Sequence, residues 1–203
     1  MTRIRILLAE DQAMIREALA ALLSFEDDLE VVAQVGRGDE VVKAALESGP
    51  DVALLDIEMP GMDGLAAAAA LSGQCPETKI VILTTFGRPG YLRRAMESGV
   101  SGFVVKDSPA GKLAETIRKV LKGQRVIDPD LAAAALAEGN SPLTPRERDV
   151  LAVSTDGTTI GEIAAALSLS EGTVRNYLSA CIQKTGARNR TEAFRVAEER
   201  GWL

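Results

Sequence analysis

Five polar side chains stand directly after short apolar runs, where a parallel sheet would bring them together. In chain order they are Glu10, Asp11, Asp56, Thr84 and Lys106. Crowded carboxylates repel each other unless a cation joins them, and Mg²⁺ prefers a few protein oxygens together with water and phosphate oxygens. A lysine and a hydroxyl can hold the oxygens of a phosphoryl group. The set is typical of phosphoryl transfer to a carboxylate, with Asp56 as the nucleophile.

Each of these residues alone has a simpler explanation. Glu10 and Asp11 could merely favour the start of the following helix, where negative charge complements the helix dipole. Asp56 precedes a turn-like Met59-Pro60-Gly61, and Lys106 could be a surface charge. Five suitable residues at matching run ends are improbable by chance, so the joint pattern favours a site.

The elements that must position these residues alternate between strands and helices. The strand-like runs are Ile4–Ala9, Val31–Val35, Val52–Leu55, Lys79–Leu83 and Gly102–Val105. The segments between them have helical periodicity. In the first, Ile15, Ala18, Leu19 and Leu22 form the predicted core stripe. This alternation predicts an α/β fold, a parallel five-stranded sheet with helices on both faces, and ligands at the carboxyl ends of its strands.

The sequence pattern in the remainder of the chain predicts a linker and a small helical domain. The length of 203 residues favours two domains, which we place at residues 1–122 and 143–203, with a Pro- and Gly-containing linker at 123–142. Four short helices are expected in the second domain. Thr144 with Glu147 and Thr159 with Glu162 fit capping boxes, and Ser170 can cap the third helix. The spacing of the second and third helices is typical of a helix-turn-helix.

Composition excludes several classes of protein. The chain has no histidine and only two cysteines, which rules out Ser-His-Asp and Cys-His catalysis and leaves no plausible structural zinc site. A disulfide framework is improbable, which favours a reducing cytoplasm. No apolar run approaches the ~18 residues of a membrane helix, and the first residues lack a signal-peptide pattern. We therefore expect a cytoplasmic protein with no membrane partner.

Charge is distributed unevenly along the chain. The net charge is −6, but residues 143–203 hold eight basic and eight acidic groups. Within them, the segment Gly172–Arg190 contains four basic side chains and no acidic one. Such a strip is compatible with nucleic-acid binding, and the alternative is an ordinary solvated helix face.

The first domain resembles the receiver domain of bacterial two-component response regulators. The resemblance covers about Arg3–Lys122 and rests on Glu10-Asp11, the run Leu54–Gly64, Thr84 and Lys106. It implies a flavodoxin-like, doubly wound fold with strand order 2-1-3-4-5.

The same resemblance implies a role for each residue of the set. Asp56 would be the phosphoacceptor, Lys106 would contact the phosphoryl group and Thr84 would move to meet it. Mg²⁺ would be held by Glu10, Asp11, Asp56 and the backbone carbonyl of Glu58. Phe103 takes the position of the switch aromatic, with a plain core phenylalanine as the alternative. Asp107 stands where many receivers have proline, which leaves the geometry of the peptide bond after Lys106 open.

The second domain resembles the LuxR-type helix-turn-helix, which makes the chain similar to the NarL/FixJ family. The matching residues are Leu143–Glu147, Ile163-Ala164, Leu167 and Ser170–Asn176. On the third helix Val174, Leu178 and Cys181 should face inward. The expected base contacts are Arg175, Asn176, Ser179 and Gln183. The expected phosphate contacts are Thr173, Lys184, Arg188 and Arg190. Tyr177 replaces this family's usual histidine, which weakens any inherited contact there.

These resemblances imply a transcription factor that a sensor histidine kinase activates by phosphorylating Asp56. Phosphorylation would promote homodimerisation and binding to double-stranded promoter DNA, with RNA polymerase as a further candidate partner. A lateral apolar arc on the first helix, Met14, Ala21 and Phe25, is the candidate dimer surface, unless it packs under the fifth helix. The run Leu83–Tyr91 also resembles a subgroup that regulates lipid desaturation. Any enzymatic activity would be limited to self-phosphorylation from small donors and autodephosphorylation.

Two other functions remain open at this point. A Mg²⁺-dependent phosphatase of the haloacid dehalogenase kind also uses an aspartyl nucleophile at a strand end. Such enzymes have a second aspartate two residues after the nucleophile, where this chain has Glu58, and most of them also have a cap domain. A protein-interaction switch without DNA binding is the second alternative, and specific operator binding would distinguish it.

Overall fold

The computed structural model describes residues 3–85, 89–106, 110–129, 132–133, 141–154 and 157–203. The chain divides into two compact units, the first made mainly of residues 1–133 and the second mainly of residues 134–203. Asp107, part of the Leu83–Tyr91 run and most of the second half of the predicted linker lie outside the described residues.

The first unit is built on a parallel sheet of six strands in the order β2-β1-β3-β4-β5-β6. The strands are β1 (Ile4–Ala9), β2 (Leu29–Val35), β3 (Val52–Asp56), β4 (Lys79–Thr84), β5 (Gly102–Val105) and β6 (Val126–Ile127). The five expected strands are confirmed in the expected order. The two-residue β6 is an addition at the edge, where Val126 N donates to Ser101 O at 3.0 Å and β5 gains a parallel partner.

Helices cover both faces of this sheet, as an all-parallel sheet requires. They are α1 (Ala13–Ser24), α2 (Val41–Ser48), α3 (Gly64–Gln74), α4 (Pro89–Glu97) and α5 (Ala110–Leu121). Every residue from Ile6 to Ala9 is 0% exposed, so alternate side chains of β1 are buried on opposite faces. The doubly wound α/β architecture predicted from the sequence is therefore confirmed.

The buried face of α1 differs from the sequence-based stripe. Leu23 is buried in the core, and Leu19 and Ala20 pack against it. Ala18 is exposed and Leu22 is 44% exposed, so their assignment to the core was wrong. Periodicity gives the spacing of an apolar stripe, but the orientation of the helix on the sheet decides which of two adjacent leucines is buried.

The second unit contains four helices among its described residues, as expected. They are α6 (Pro145–Ala152), α7 (Ile160–Leu167), α8 (Glu171–Thr185) and α9 (Arg190–Glu199). Both predicted capping boxes are present, at Thr144 with Glu147 and at Thr159 with Glu162. The Ser170 hydroxyl accepts from Thr173 N at 3.1 Å, which starts α8. Each helix start thus follows from local side-chain capping.

A separate core holds the second unit together. Val174, Leu178 and Cys181 face inward on α8, as predicted. Burial raises the pKa of the Cys181 thiol to about 11, consistent with a small core residue rather than a redox sensor. Trp202 closes this core near the end of the chain at 5% exposure, with the Arg200 guanidinium 4.9 Å from its ring centre. Among the described helices, none has the length and apolarity needed to cross a membrane.

Candidate functional site: an acidic pocket and a helix-turn-helix surface

The acidic pocket lies at the carboxyl edge of the sheet. Asp56 is the last residue of β3 and pairs in register with Leu83, while Glu10 and Asp11 directly follow β1. Glu10, Asp11 and Asp56 each offer a carboxylate oxygen, and these oxygens lie within 4.8 Å of one another. The structure therefore brings together the three carboxylates that the sequence placed at neighbouring strand ends.

Lys106 connects two of these carboxylates. Its Nζ lies 2.6 Å from Glu10 Oε2 and 3.0 Å from Asp56 Oδ2, and its side chain is only 10% exposed. The other Asp56 oxygen, Oδ1, accepts from the backbone N–H of Ile57 at 2.8 Å. One carboxylate oxygen of Asp56 is thus held by Lys106 and the other by the Ile57 amide.

Burial sets the ionisation behaviour of the pocket. It raises the pKa of Asp56 above its ordinary value, although the hydrogen bond and charge of Lys106 oppose this. The pKa of Glu10 is raised for the same reason, with Lys106 again opposing. Burial alone would lower the pKa of Lys106, but the carboxylates of Glu10 and Asp56 beside its ammonium raise it. The lysine therefore remains a cation and favours the charged form of Asp56.

The other predicted receiver residues occupy different environments. Thr84 ends β4 and is 3% exposed, on the strand next to that of Asp56. Phe103 is fully buried in β5, opposite Ile82, as a core phenylalanine would be. Glu58 is exposed, two residues beyond Asp56. In this structure Phe103 is a packing residue, and a switching role for it stays a prediction.

Two further residues shape the pocket and were not singled out from the sequence. Arg16 donates from Nη1 to the backbone carbonyl of Glu10 at 2.5 Å and to that of Asp11 at 3.4 Å, so α1 fixes the two acidic residues from behind. Gly64 starts α3, and a Cβ there would lie 1.8 Å from the backbone oxygen of Asp56. An arginine six residues after Glu10 and a glycine eight after Asp56 were the available sequence signals.

The donor set fits a small hard cation. Glu10 Oε2 is fully buried and accepts no well-directed hydrogen bond, although it lies close to Lys106. Asp11 is exposed beside it and completes an all-oxygen site that solvent can reach. Mg²⁺ binds through a few carboxylates and keeps several waters, which is what this pocket permits.

The exposed face of α8 forms the second candidate site. The four expected base contacts, Arg175, Asn176, Ser179 and Gln183, are all exposed on α8. The Arg175 guanidinium pairs with Glu171 at 2.7 Å, and both side chains are more than half exposed. Exposed pairs of this kind are worth only ~0–1 kcal/mol, so the guanidinium remains available to a base.

The four expected phosphate contacts differ in their surroundings. Thr173 and Arg190 are half-buried near the starts of α8 and α9, and Arg188 is strongly exposed beside Glu192. Lys184 departs from the expectation, because its Nζ lies 2.7 and 2.8 Å from the two carboxylate oxygens of Glu147 on α6. Lys184 thus links α8 to α6, and a contact between this exposed lysine and a phosphate stays a prediction.

A doubly wound sheet with a buried aspartate beside a lysine and two more carboxylates, together with a helix-turn-helix unit, defines the class of response regulators. Residues 6–118 match the family profile "Response regulator receiver domain", and residues 141–197 match "Bacterial regulatory proteins, luxR family". The chain belongs to the family of two-component response regulators that combine a receiver with a LuxR-type DNA-binding domain.

Individual relatives extend over the whole chain. The transcriptional regulatory protein DesR of Bacillus subtilis is 47% identical over 98% of this chain and 99% of its own length. The uncharacterized transcriptional regulatory protein YvfU of the same organism is 46% identical over 98% and 100%. The crystal structure of the response regulator ChrA of a heme-sensing two-component system is 30% identical, covers 100% of both chains and superposes with a TM-score of 0.59. The resemblance drawn from the sequence is confirmed.

Proposed function

We propose that Asp56 is the phosphoacceptor of this response regulator and that Lys106 is its phosphoryl-binding partner. The observation that carries the proposal is the position of Lys106 Nζ, 3.0 Å from Asp56 Oδ2 in a pocket with two further carboxylates. No other arrangement of this kind occurs among the described residues, which contain a single cluster of three acidic ligands.

The chemistry at Asp56 is a phosphoryl transfer from the phosphohistidine of a sensor kinase. A carboxylate oxygen of Asp56 forms the new bond to phosphorus while the bond from phosphorus to the histidine nitrogen breaks, and the electron pair stays on the imidazole. Lys106 neutralises charge on the phosphoryl oxygens, and Thr84, on the neighbouring strand, is the residue whose hydroxyl donates a hydrogen bond to them. The buried Phe103 then repacks with Thr84, which alters the outer surface of the receiver.

Glu10, Asp11, Asp56 and the carbonyl of Glu58 are the residues we assign to Mg²⁺. A bound Mg²⁺ supplies positive charge that offsets the repulsion between the acidic pocket and an incoming phosphate. Arg16 holds the carbonyls behind Glu10 and Asp11, so both side chains start from a fixed backbone. Self-phosphorylation from small phosphodonors and autodephosphorylation belong to the same site and are the only catalytic activities we propose.

We propose that α8 is the recognition helix and enters the major groove of promoter DNA. Its solvent face presents an arginine, an asparagine, a serine and a glutamine, which are side chains that read base edges. Arg188, Arg190 and Thr173 would contact phosphates at its two ends. The transcriptional role carried in the names of DesR and YvfU supports this assignment. We place the protein in the cytoplasm, where promoters and RNA polymerase are available as partners.

Replacing Arg175 with alanine should weaken binding to the operator by ~1–3 kcal/mol and relax specificity at one base position. The loss arises because a base edge loses a guanidinium partner. Arg188→Ala is the matched control, since it should weaken binding to all DNA sequences similarly and make the affinity depend less on salt concentration. Fluorescence anisotropy with operator and scrambled DNA at several salt concentrations measures both effects. Wild-type affinity and selectivity in Arg175→Ala would contradict the proposed docking.

We propose that phosphorylation acts by dimerisation through the α1 arc, defined as Met14, Ala18, Ala21, Leu22 and Phe25. Met14 is 83% and Phe25 82% exposed, so these side chains do not pack under α5 within the receiver. Two linked helix-turn-helix units gain effective concentration and read two half-sites. An exposed apolar surface of this kind is suited to a second copy of the chain.

Beryllofluoride, a phosphoryl mimic, should shift the wild-type protein from mainly monomer to dimer in sedimentation velocity. Met14→Asp should stay monomeric while still accepting the mimic, because the new carboxylate would be buried without a partner. Leu46→Asp, at an exposed leucine of α2, is the control and should dimerise normally. An unchanged wild-type mass would contradict the mechanism, whereas normal dimerisation of Met14→Asp would contradict only the surface.

A further inference from the structure

Glu171 is the first residue of α8 and lies where this helix approaches α7. Its Oε2 accepts a hydrogen bond from Arg175 Nη2 at 2.7 Å, one turn further along α8. A Cβ built on Gly161 would lie 3.5 Å from the other oxygen, Oε1, so the carboxylate also lies over the first turn of α7. Glu171 is therefore located between α7 and the guanidinium that we assign to a base edge.

The place of this ion pair on α8 matters for sequence recognition. The N-terminal residues of a recognition helix are the ones that reach base edges in the major groove. Glu171 and Arg175 both lie in the first half of this 15-residue helix, and both are exposed. The following segment, Gly172–Arg190, contains no acidic residue. A carboxylate beside the base contacts needs an explanation, because DNA phosphates repel it.

We propose that Glu171 is a positioning residue that orients the Arg175 guanidinium towards a guanine. The inference rests on the proposed role of α8 as the recognition helix. A guanidinium has five N–H donors in a planar fork, and a guanine accepts two hydrogen bonds from it, at O6 and N7. The hydrogen bond to Glu171 fixes the plane of this fork and leaves the other donors for the base.

The carboxylate of Glu171 acts on selectivity more than on the strength of binding. An arginine without a restraint can turn to a phosphate instead of a base, which adds affinity for every sequence. Glu171 repels phosphates at this position and restricts the guanidinium, so less conformational freedom is lost when Arg175 meets a guanine. An exposed pair contributes little to folding stability, but a small bias is enough to favour the base over the phosphate.

Selection of bound duplexes from a randomised DNA library measures the base preference of the full chain at every position. Arg175→Ala should lose the guanine preference at one position. Glu171→Ala should lower the preference at that same position by about threefold or more, while it binds random DNA more tightly because a negative charge is removed. Glu198→Ala removes an exposed acidic residue of α9 instead, and this charge control should keep the base preferences of wild type.

A double variant separates positioning from direct reading of a base. Because Glu171 acts through Arg175, Glu171→Ala should cause no further loss of base preference in the Arg175→Ala background. A carboxylate can also accept a hydrogen bond from cytosine N4. In that case Glu171→Ala would change the preference at a different position, and its effect would add to that of Arg175→Ala. This additive result would overturn the proposal.

Glu171→Gln tests whether Glu171 only stabilises the start of α8 through the helix dipole. The neutral amide still accepts a hydrogen bond from Arg175 but supplies no charge to the helix. It should retain most of the guanine preference that Glu171→Ala loses, and equal losses in the two variants would overturn the positioning role. An unaltered preference in Arg175→Ala would contradict the recognition role of α8 itself. An altered Arg175→Ala beside a normal Glu171→Ala would reject the positioning role alone.

Discussion

Asp56→Asn is expected to reduce phosphorylation by acetyl phosphate to background. The amide lacks the charged oxygen that forms the bond to phosphorus, and no second aspartate among the described residues has a lysine at 3.0 Å. Intact-mass spectrometry should find one added phosphoryl group per wild-type chain and none on the variant. The added group should be lost in hydroxylamine, as expected for an acyl phosphate.

Removal of Mg²⁺ is the second half of this test. Excess EDTA should suppress labelling of the wild type, since three carboxylate oxygens within 4.8 Å repel an incoming phosphate when no divalent cation offsets them. Asp27→Asn is the matched control, because Asp27 is an exposed aspartate outside the pocket and its loss should leave labelling unchanged. Full labelling of Asp56→Asn, or indifference to EDTA, would refute the assignment of the site.

Glu147→Ala is expected to destabilise the DNA-binding unit by ~2 kcal/mol. The Glu147 side chain is only 7% exposed but that of Lys184 is 35% exposed, so the change removes an ion pair whose lysine can turn to water, at a cost of ~1 kcal/mol. It also removes the acceptor for Thr144 N, a helix-capping contact worth ~1 kcal/mol. Urea denaturation of wild type and variant measures the difference.

The second capping box offers a matched control for that variant. Glu162 accepts from Thr159 N at 2.7 Å in the same arrangement but is exposed and faces no lysine among its described partners. Glu162→Ala should therefore cost only ~1 kcal/mol. Equal losses for the two variants would show that the pair with Lys184 contributes nothing.

The same ion pair makes stability depend on pH. Burial raises the pKa of Glu147, but the Lys184 and Thr144 hydrogen bonds outweigh this effect and leave the pKa lowered below 4.5. Because the pKa of Glu147 is lower in the folded state than in the unfolded state, its ionised carboxylate stabilises the fold. This stabilisation is complete at pH values above the unfolded-state pKa and is lost as the pH falls through the folded-state pKa. In Glu147→Ala the free energy of unfolding of the DNA-binding unit should accordingly fall less steeply as the pH is lowered than in wild type.

Local sequence signals predicted the receiver strands and the helix starts of the second unit closely. The β1 and β5 bounds coincide with their apolar runs, and Thr144, Thr159 and Ser170 cap the expected helices. These features depend on neighbours within a few residues. For the same reason the polar residues after each strand could be assigned to one edge of the sheet.

The features that could not be predicted from the sequence depend on contacts between segments that are distant along the chain. Glu147 and Lys184 are 37 residues apart, and a lysine on a helix carries no mark that distinguishes a packing role from a DNA contact. The strand β6 has only two residues and exists because β5 offers an unpaired edge. Arg16 acts on backbone carbonyls, which have no side-chain signature in the sequence.

The burial of Trp202 has a practical consequence for spectroscopy. It is the only tryptophan of the chain, and it lies in the core of the helix-turn-helix unit beneath Arg200. Emission excited at long ultraviolet wavelength therefore arises from that unit alone, whereas the receiver is dark at this wavelength. The native protein thus contains an intrinsic optical label that follows the DNA-binding unit without any engineered fluorophore.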